Sequence, residues 1–222
     1  MEEEPNTTVS AAALVAAGVG PIGLLAAVAV AGLVLRPDNG YDPARDTVST
    51  LASFSQTDLI ITIGFGLSAA GLIATGLTFP DISRLSRTLL IGAGGCGLVI
   101  AAIPITTVST VHLGAAAAGA ILLAAWPVSA ASRQDRSPLM FRFRTNVGAS
   151  VMLAGLLGWV VFEAAGGALL GVAERVAIFA EISWPFFIVM SLWLSQRRQT
   201  PPIASAAKDV AGPPQITGSS RS

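Results

Sequence analysis

Two glutamates are the residues of this chain whose type and spacing most suggest chemistry inside an apolar segment. Glu181 is followed four residues later by Pro185, and a proline cannot donate a hydrogen bond to the carbonyl four residues before it. Glu174 precedes Glu181 by seven residues, so both side chains would lie on nearly the same face of a helix. Two interpretations follow: a proton or cation site, or a protonated glutamate that hydrogen-bonds a neighbouring helix and holds a kink.

Other residues that bind metals or catalyse reactions are scarce. His112 is the only histidine and Cys96 the only cysteine, whereas a catalytic zinc site uses about three protein ligands. A haem with two axial histidines is excluded by the same count. Four aspartates occur between residues 38 and 58, but their spacing does not match a calcium-binding loop. We therefore predict no metal and no cofactor.

The composition indicates that lipid surrounds most of the chain. Hydrophobic residues make up 53% of the sequence and charged residues 12%, against about 25% charged residues in a typical soluble domain. Six stretches have the ~20 apolar residues that a membrane-spanning helix needs, and none shows the polar face of a soluble bundle. The predicted fold is all-α, a polytopic bundle of six transmembrane helices. Their predicted ranges are about 11–35, 59–79, 88–108, 111–131, 146–170 and 172–194.

The segments outside these helices are short, apart from an outer loop over residues 36–57. Residues 1–10 form an acidic tail without the positive charge of a signal peptide, so the first helix is expected to remain in the mature protein. The third and fourth predicted helices are separated only by Ser109–Thr110. The transmembrane domain therefore covers residues 11–195, and the Pro-, Ser- and Ala-rich residues 196–222 are predicted to be a disordered cytoplasmic tail.

Arginine and lysine are unevenly distributed between the two sides of the predicted bundle. The side with both termini carries ten of them and the other side three. Because short cytoplasmic loops carry the excess of Lys and Arg, both termini are predicted to lie in the cytoplasm. The net charge is zero, so no nucleic-acid partner is expected. The expected partners are the lipid bilayer, a lipid or small-solute ligand, and a second copy of the chain in a homodimer.

Most charged residues near the apolar segments fall on the outer side. Asp42 and Pro43 have the residue types of an N-cap and a first helical position, so we predict a short helix from Pro43 over the outer ends of the bundle. Glu163 lies near the outer end of the fifth helix, and Arg175 lies at the outer start of the sixth. A polar cluster at the outer face is therefore expected.

Several short motifs around these helices resemble one family. They are Tyr41-Asp42-Pro43, Asp46-Thr47-Val48-Ser49-Thr50-Leu51, His112 at the start of the fourth helix, and Gly171 followed by Glu174-Arg175 at the start of the sixth. In this order they resemble the family called domain of unknown function 998, over about residues 15–195. The resemblance implies a six-helix bacterial or archaeal membrane protein without an established activity, located here in the inner membrane. The resemblance singles out Asp46, Ser49, His112 and Arg175 as residues of a site at the outer face.

These marked residues lie, by topology, on the same side of the membrane. Arg175 is expected to form an ion pair with Asp46 or Glu163. Desolvated charge pairs of this kind can hold a loop over helix ends, and they can equally form a binding pocket. Both a structural staple and a functional site remain open from the residues alone.

His112 is expected to hydrogen-bond Ser49 or Ser109. A further serine, in Gly148-Ala149-Ser150, superficially resembles the Gly-x-Ser of an intramembrane serine protease. That serine lies at the cytoplasmic start of the fifth helix, so most of a ~30 Å bilayer would separate it from His112. A nucleophile and its base need hydrogen-bond reach, so no catalytic residues are predicted and enzymatic activity is not favoured.

Two classes of function remain. A protein that handles a small solute, a proton or a lipid near the outer leaflet is favoured by proline-interrupted helices and membrane carboxylates. A non-catalytic accessory or assembly protein, in which the polar cluster is structural, is the alternative. The candidate polar site consists of Asp46, Ser49, His112, Glu163, Glu174, Arg175 and Glu181.

The predicted orientation can be measured with single cysteines in a Cys96→Ser background. A membrane-impermeant maleimide added to intact cells is expected to label Ser53→Cys in the outer loop. The same reagent should label Arg136→Cys only after the cells are opened, because that position falls among the cytoplasmic arginines. The reverse pattern of labelling would show that the termini face outward.

Overall fold

The computed structural model describes residues 9–35, 40–79, 82–103, 105–106, 109–131 and 138–199 of the chain. Its helices are α1 (Ala11–Val34), α2 (Val48–Leu51), α3 (Asp58–Thr78), α4 (Arg84–Ala102), α5 (Ser109–Ala130), α6 (Phe143–Ala164) and α7 (Leu170–Gln199), with a 3₁₀ turn at Leu139–Phe141. Six of these helices, all except α2 and the 3₁₀ turn, are long and apolar enough to cross a membrane. The predicted all-α bundle of six membrane-spanning helices is therefore confirmed.

The long helices form a ring in which most neighbours in sequence are also neighbours in space. α1 packs against α3, α3 against α4, and α4 against α5, while α7 closes the ring against α1. α6 packs against α5 and α7. The backbone N–H of Val9 donates to Oε1 of Gln196 at 3.0 Å, so the start of α1 and the end of α7 lie together. We call that side the termini face, and the opposite side, which carries residues 40–57, the loop face.

The outer surface of the ring is apolar. Leu33 is 86% exposed and Phe162 is 71% exposed, and both belong to helices that could span a membrane. Soluble proteins rarely expose contiguous apolar patches of more than a few hundred Å². A surface of this kind fits lipid hydrocarbon, and the protein is a multi-pass membrane protein.

Close contact among α1, α3 and α4 depends on glycines. A Cβ added to Gly71 of α3 would lie 2.7 Å from the backbone nitrogen of Gly20 and 3.0 Å from the carbonyl oxygen of Ala16, both on α1. A Cβ added to Gly94 of α4 would lie 2.8 Å from the carbonyl oxygen of Ala69 on α3. Small residues allow membrane helices to approach closely, and here they bring three helices into backbone contact.

Two helices end earlier than predicted, each for a local reason. Ile103, after the last residue of α4, is extended, with φ −118° and ψ 97°, because the residue before a proline disfavours the helical conformation. The predicted two-residue hairpin at Ser109–Thr110 is therefore wrong. α6 ends at Ala164 and does not reach residue 170, since the chain turns at Gly166, whose φ of +127° suits glycine.

The last helix is longer than predicted, and parts of the predicted tails and outer loop lie outside the described residues. α7 continues to Gln199, five residues beyond the predicted end at residue 194. Of the predicted acidic tail, outer loop and C-terminal tail, residues 1–8, 36–39 and 200–222 lie outside the described residues.

Replacing Gly71 with alanine is expected to lower the melting temperature of the protein purified in a mild detergent. The new methyl group would meet the α1 backbone at 2.7 Å, and overpacking of this kind costs about 1–3 kcal/mol. Gly66→Ala is the matched control, because no atom lies within 4 Å of a Cβ at that position on the same helix. Equal melting temperatures of the two variants would contradict the proposed role of the α1–α3 contact.

Candidate functional site

Arg175, in the second turn of α7, holds the outer loop against the bundle. Its Nη1 donates to the main-chain carbonyls of Pro43 at 2.9 Å and Asp46 at 2.9 Å, and to that of Gly171 within α7 at 2.7 Å. Its Nη2 donates to the hydroxyl of Tyr41, whose ring centroid lies 5.8 Å from the guanidinium carbon. Backbone carbonyls are one of the usual ways to satisfy a charged side chain at a membrane.

The start of α7 touches the same loop directly. The N–H groups of Gly171 and Val172 both donate to the carbonyl of Ala44, at 2.9 and 3.3 Å. The loop thereby satisfies donors in the first turn of α7 that have no partner within the helix. A Cβ added to Gly171 would lie 2.6 Å from the carbonyl oxygen of Pro43. Glycine is therefore required at this position for the loop backbone to reach the helix.

The predicted ion pair of Arg175 with the carboxylate of Asp46, or with Glu163, is wrong. Oδ2 of Asp46 accepts a hydrogen bond from the N–H of Asp42 at 2.8 Å, while Arg175 binds the main-chain carbonyl of Asp46. The close approach at Gly171 explains the difference, because it brings main-chain oxygens of the loop within reach of the guanidinium.

The short helix of the outer loop begins later than the predicted start at Pro43. Oδ1 of Asp42 accepts the N–H of Ala44 at 2.9 Å, so this aspartate stabilises a single turn. The regular helix α2 begins at Val48, and Thr47 is its N-cap, with a side-chain oxygen that accepts a backbone N–H from the first turn. Threonine is also a good N-cap residue, and Thr47 caps the helix here in place of Asp42.

α2 is held over the bundle from two sides. The N–H of Val48 donates to Oε2 of Glu174 on α7. On the other side, Oγ of Ser49 lies 2.9 Å from Nε2 of His112 on α5, which is one of the two contacts predicted for this histidine. Nδ1 of His112 lies 2.7 Å from the carbonyl oxygen of Ile103. A carbonyl can only accept, so Nδ1 carries a hydrogen and donates to Ile103.

Tyr41 joins these contacts, although the sequence assigned it no role beyond its place in a motif. Its hydroxyl accepts from Arg175 and donates to the carbonyl of Thr47 at 3.4 Å. Burial raises the pKa of Tyr41, while the nearby Arg175 acts in the opposite direction. The phenol therefore stays protonated at neutral pH and can serve as both donor and acceptor. Its place in the motif Tyr41-Asp42-Pro43 was the signal that the sequence offered.

Glu163 stabilises the turn between α6 and α7 and takes no part in the contacts of Arg175. Its Oε1 accepts from Nε1 of Trp159 at 3.1 Å, and its Oε2 accepts from the N–H of Leu169 at 2.8 Å. The side chain is 8% exposed. Both carboxylate oxygens have partners, so this residue has a structural role at the loop face.

Six polar side chains therefore form one connected group, which we call the loop-face network. Its members are Tyr41, Asp46, Ser49, His112, Glu174 and Arg175. Each of them binds another member or the backbone of residues 42–48 and 103. The network joins the outer loop to α5 and α7, as a lid fixed over one end of the ring.

Ser150, in the motif that superficially resembled a protease, is remote from this network. Its Oγ accepts the N–H of Val128 at 3.2 Å. Val128 lies 16 residues after His112 on α5, about 24 Å along the helix. The serine and the histidine therefore do not form a nucleophile–base pair.

A cavity of about 100 Å³ lies inside the ring, below the lid. Residues of α1, α3, α4, α5 and α7 line it, and Glu181 and Ser68 are the polar side chains among them. Glu181 is 4% exposed, and its Oε1 has no hydrogen-bond partner among the described residues. It lies eleven residues after Leu170, about 16 Å along α7. Glu181 is thus separate from the loop-face network.

Two residues that line the cavity are followed four positions later by a proline that lies inside the same helix. Pro185 follows Glu181 in α7, and Pro127 follows Leu123 in α5. Proline has no N–H, so neither carbonyl receives its usual helical hydrogen bond. The first pair was predicted from the sequence and the second was not, although the same spacing identifies both. Ser68 carried no sequence signal, because only the fold shows which serine faces the cavity.

Comparison with known proteins gives one match. The model of the family described as "Protein of unknown function (DUF998)" matches residues 18–191, which is more than half of the chain. No curated protein and no solved structure matches significantly.

Exchanging Arg175 for glutamine is expected to lower the melting temperature markedly. The change removes contacts to three carbonyls and to Tyr41, and hydrogen bonds to a charged group contribute about 1.5–3 kcal/mol each. Asp46→Asn is the control, because it keeps the main-chain carbonyl that Arg175 binds, and we expect a change below about 0.5 kcal/mol. A fall of similar size in both variants would mean that the Asp46 carboxylate, and not its carbonyl, holds the loop.

Proposed function

Because the chain belongs to the DUF998 family of proteins of unknown function, we propose a function from its own geometry. The protein binds a small solute inside its six-helix bundle, in the cavity that contains Glu181, as part of the movement or sensing of that solute at the membrane. The proposal keeps the class of function suggested by the sequence and places the ligand deeper, in the core of the ring.

One observation carries this proposal. Oε1 of Glu181 is buried without a hydrogen-bond partner among the described residues, and Glu181 lines a cavity of about 100 Å³. An unsatisfied buried polar group costs roughly 1–3 kcal/mol, and an unpaired carboxylate costs more. One water needs a cavity of roughly 10–15 Å³ on this measure, so the space exceeds that of a single water. A costly group beside open space has the features of a binding site held at the expense of stability.

The loop-face network supports the same placement by contrast. Its carboxylates and its arginine bind backbone groups, which leaves little free capacity for a ligand. We therefore assign it the role of a lid that closes one end of the ring. From the sequence, one polar cluster could be either a structural staple or a binding site. In this proposal the loop-face network is the staple, and the cavity at Glu181 is the site.

The setting of this function is also part of the proposal. The excess of arginine and lysine on the termini face favours a cytoplasmic location for it, so the lid would face outward from a bacterial inner membrane. A homodimer would supply a second bundle to a chain of this size. The alternative is a non-catalytic accessory protein. It would be preferred if the polar residues, including Glu181, serve only to hold the structure together.

Exchanging Glu181 for methionine is expected to leave the melting temperature level or to raise it. The change removes an unsatisfied buried acceptor, whose burial costs roughly 1–3 kcal/mol. Ile182→Met is the matched control, since Ile182 is also 4% exposed and lines the same cavity, and swaps between apolar residues of similar size usually cost below about 1.5 kcal/mol.

The direction of the shift decides between the two functions. A Glu181→Met variant that melts well below Ile182→Met would show that this glutamate is a structural contact, and the accessory function would then be preferred. A variant that melts level with or above the wild type supports a solute site at Glu181.

A further inference from the structure

We propose that the ligand of the core cavity is a small protonated primary amine, an alkylammonium ion of about four or five heavy atoms. This inference rests on the proposed function and names the chemical class of its solute. It follows from three properties of the cavity: the kind of polar atoms around it, their charge and the size of the space.

The polar atoms at the cavity are mainly hydrogen-bond acceptors. Glu181, which lines the cavity, has a carboxyl oxygen without a partner among the described residues and a main-chain carbonyl that lacks its usual helical donor because Pro185 follows. Leu123 also lines the cavity, and its carbonyl lacks its usual helical donor because Pro127 follows. Acceptors in this number match a ligand that carries several N–H donors, and a primary ammonium group carries three.

The charge of the lining points to the same class. Glu181 is the ionisable residue that lines the cavity, and no arginine, lysine or histidine among the described residues lines it. The other described side-chain atom that is buried without a partner is Nε1 of Trp126, and this tryptophan does not line the cavity. An anion would find no cationic partner here, whereas a cation would pair with the carboxylate and offset the cost of burying it.

Size and apolar walls favour an organic cation over a metal ion. Apart from Glu181 and Ser68, the lining side chains are apolar or absent, as at Gly97 and Gly119. An apolar cavity of about 150 Å³ accommodates benzene, with six carbon atoms, so about 100 Å³ fits four or five heavy atoms. A bare metal ion would leave most of these walls without contact, while a short alkyl chain would cover them.

The test is the melting temperature of the full-length protein in detergent with added alkylammonium chlorides. Propylammonium and butylammonium, with four and five heavy atoms, should raise it, by about 3–6 °C at ten times the dissociation constant. Sodium and potassium chloride at the same concentrations should not raise it, because a bare metal ion leaves the apolar walls without contact. Tetramethylammonium, which is cationic but has no N–H, should have no effect either, and propan-1-ol tests a neutral molecule of similar length.

Two pairs of variants locate the binding. Glu181→Met should abolish the shift, while Ile182→Met should retain it. Ala120→Phe fills the cavity and should abolish the shift, while Ala117→Phe, at an exposed position on the same helix that does not line the cavity, should retain it. A shift that survives Glu181→Met or Ala120→Phe would overturn the inference.

The outcomes separate this inference from the proposed function. If sodium, potassium, tetramethylammonium or propan-1-ol stabilises the wild type as well as propylammonium does, the ligand class is wrong and a solute site at Glu181 stands. The ligand class is also wrong if Glu181→Met melts level with or above the wild type, but no ammonium ion raises the melting temperature of the wild type. If Glu181→Met itself melts far below Ile182→Met, the proposed function fails, and the inference fails with it.

Discussion

A guanidinium group satisfied by the protein's own backbone is the interaction on which the loop face depends. Main-chain carbonyls of the outer loop accept hydrogen bonds from Arg175. Those carbonyls reach it only because Gly171 has no side chain. The position of α2 follows from this contact, and with it the partners of Glu174 and His112. The chemistry of the loop face is therefore a consequence of one close approach between a helix and a loop.

The prediction from sequence was most reliable where a single physical rule decides the outcome. Length and apolarity identified the six spanning helices, since lipid requires both. The same rules failed at local details: Ile103 leaves the helix because of the proline after it, and Thr47 caps α2 where Asp42 was expected. These outcomes depend on competition between neighbouring residues, which composition and hydropathy do not describe.

The site itself was predictable in part. The contact of His112 with Ser49 was expected as one of two options, and Glu181 was singled out by its proline. The sequence could not show that Arg175 would bind carbonyls, because backbone atoms are the same at every position and carry no sequence signal. It also could not show the cavity, which five helices form together. Hence the sequence identified most of the candidate residues. It did not show that some of them belong to the loop-face network while Glu181 lies at the cavity.

The core cavity also gives the protein a mechanical property. A space of about 100 Å³ within the ring lowers the local packing density, whereas a closely packed protein interior has low compressibility. Compression favours any state in which such a void is filled or lost. Hydrostatic pressure and an occupant of the cavity therefore act on the same internal volume, and a filled ring would be the stiffer and less compressible form of this bundle.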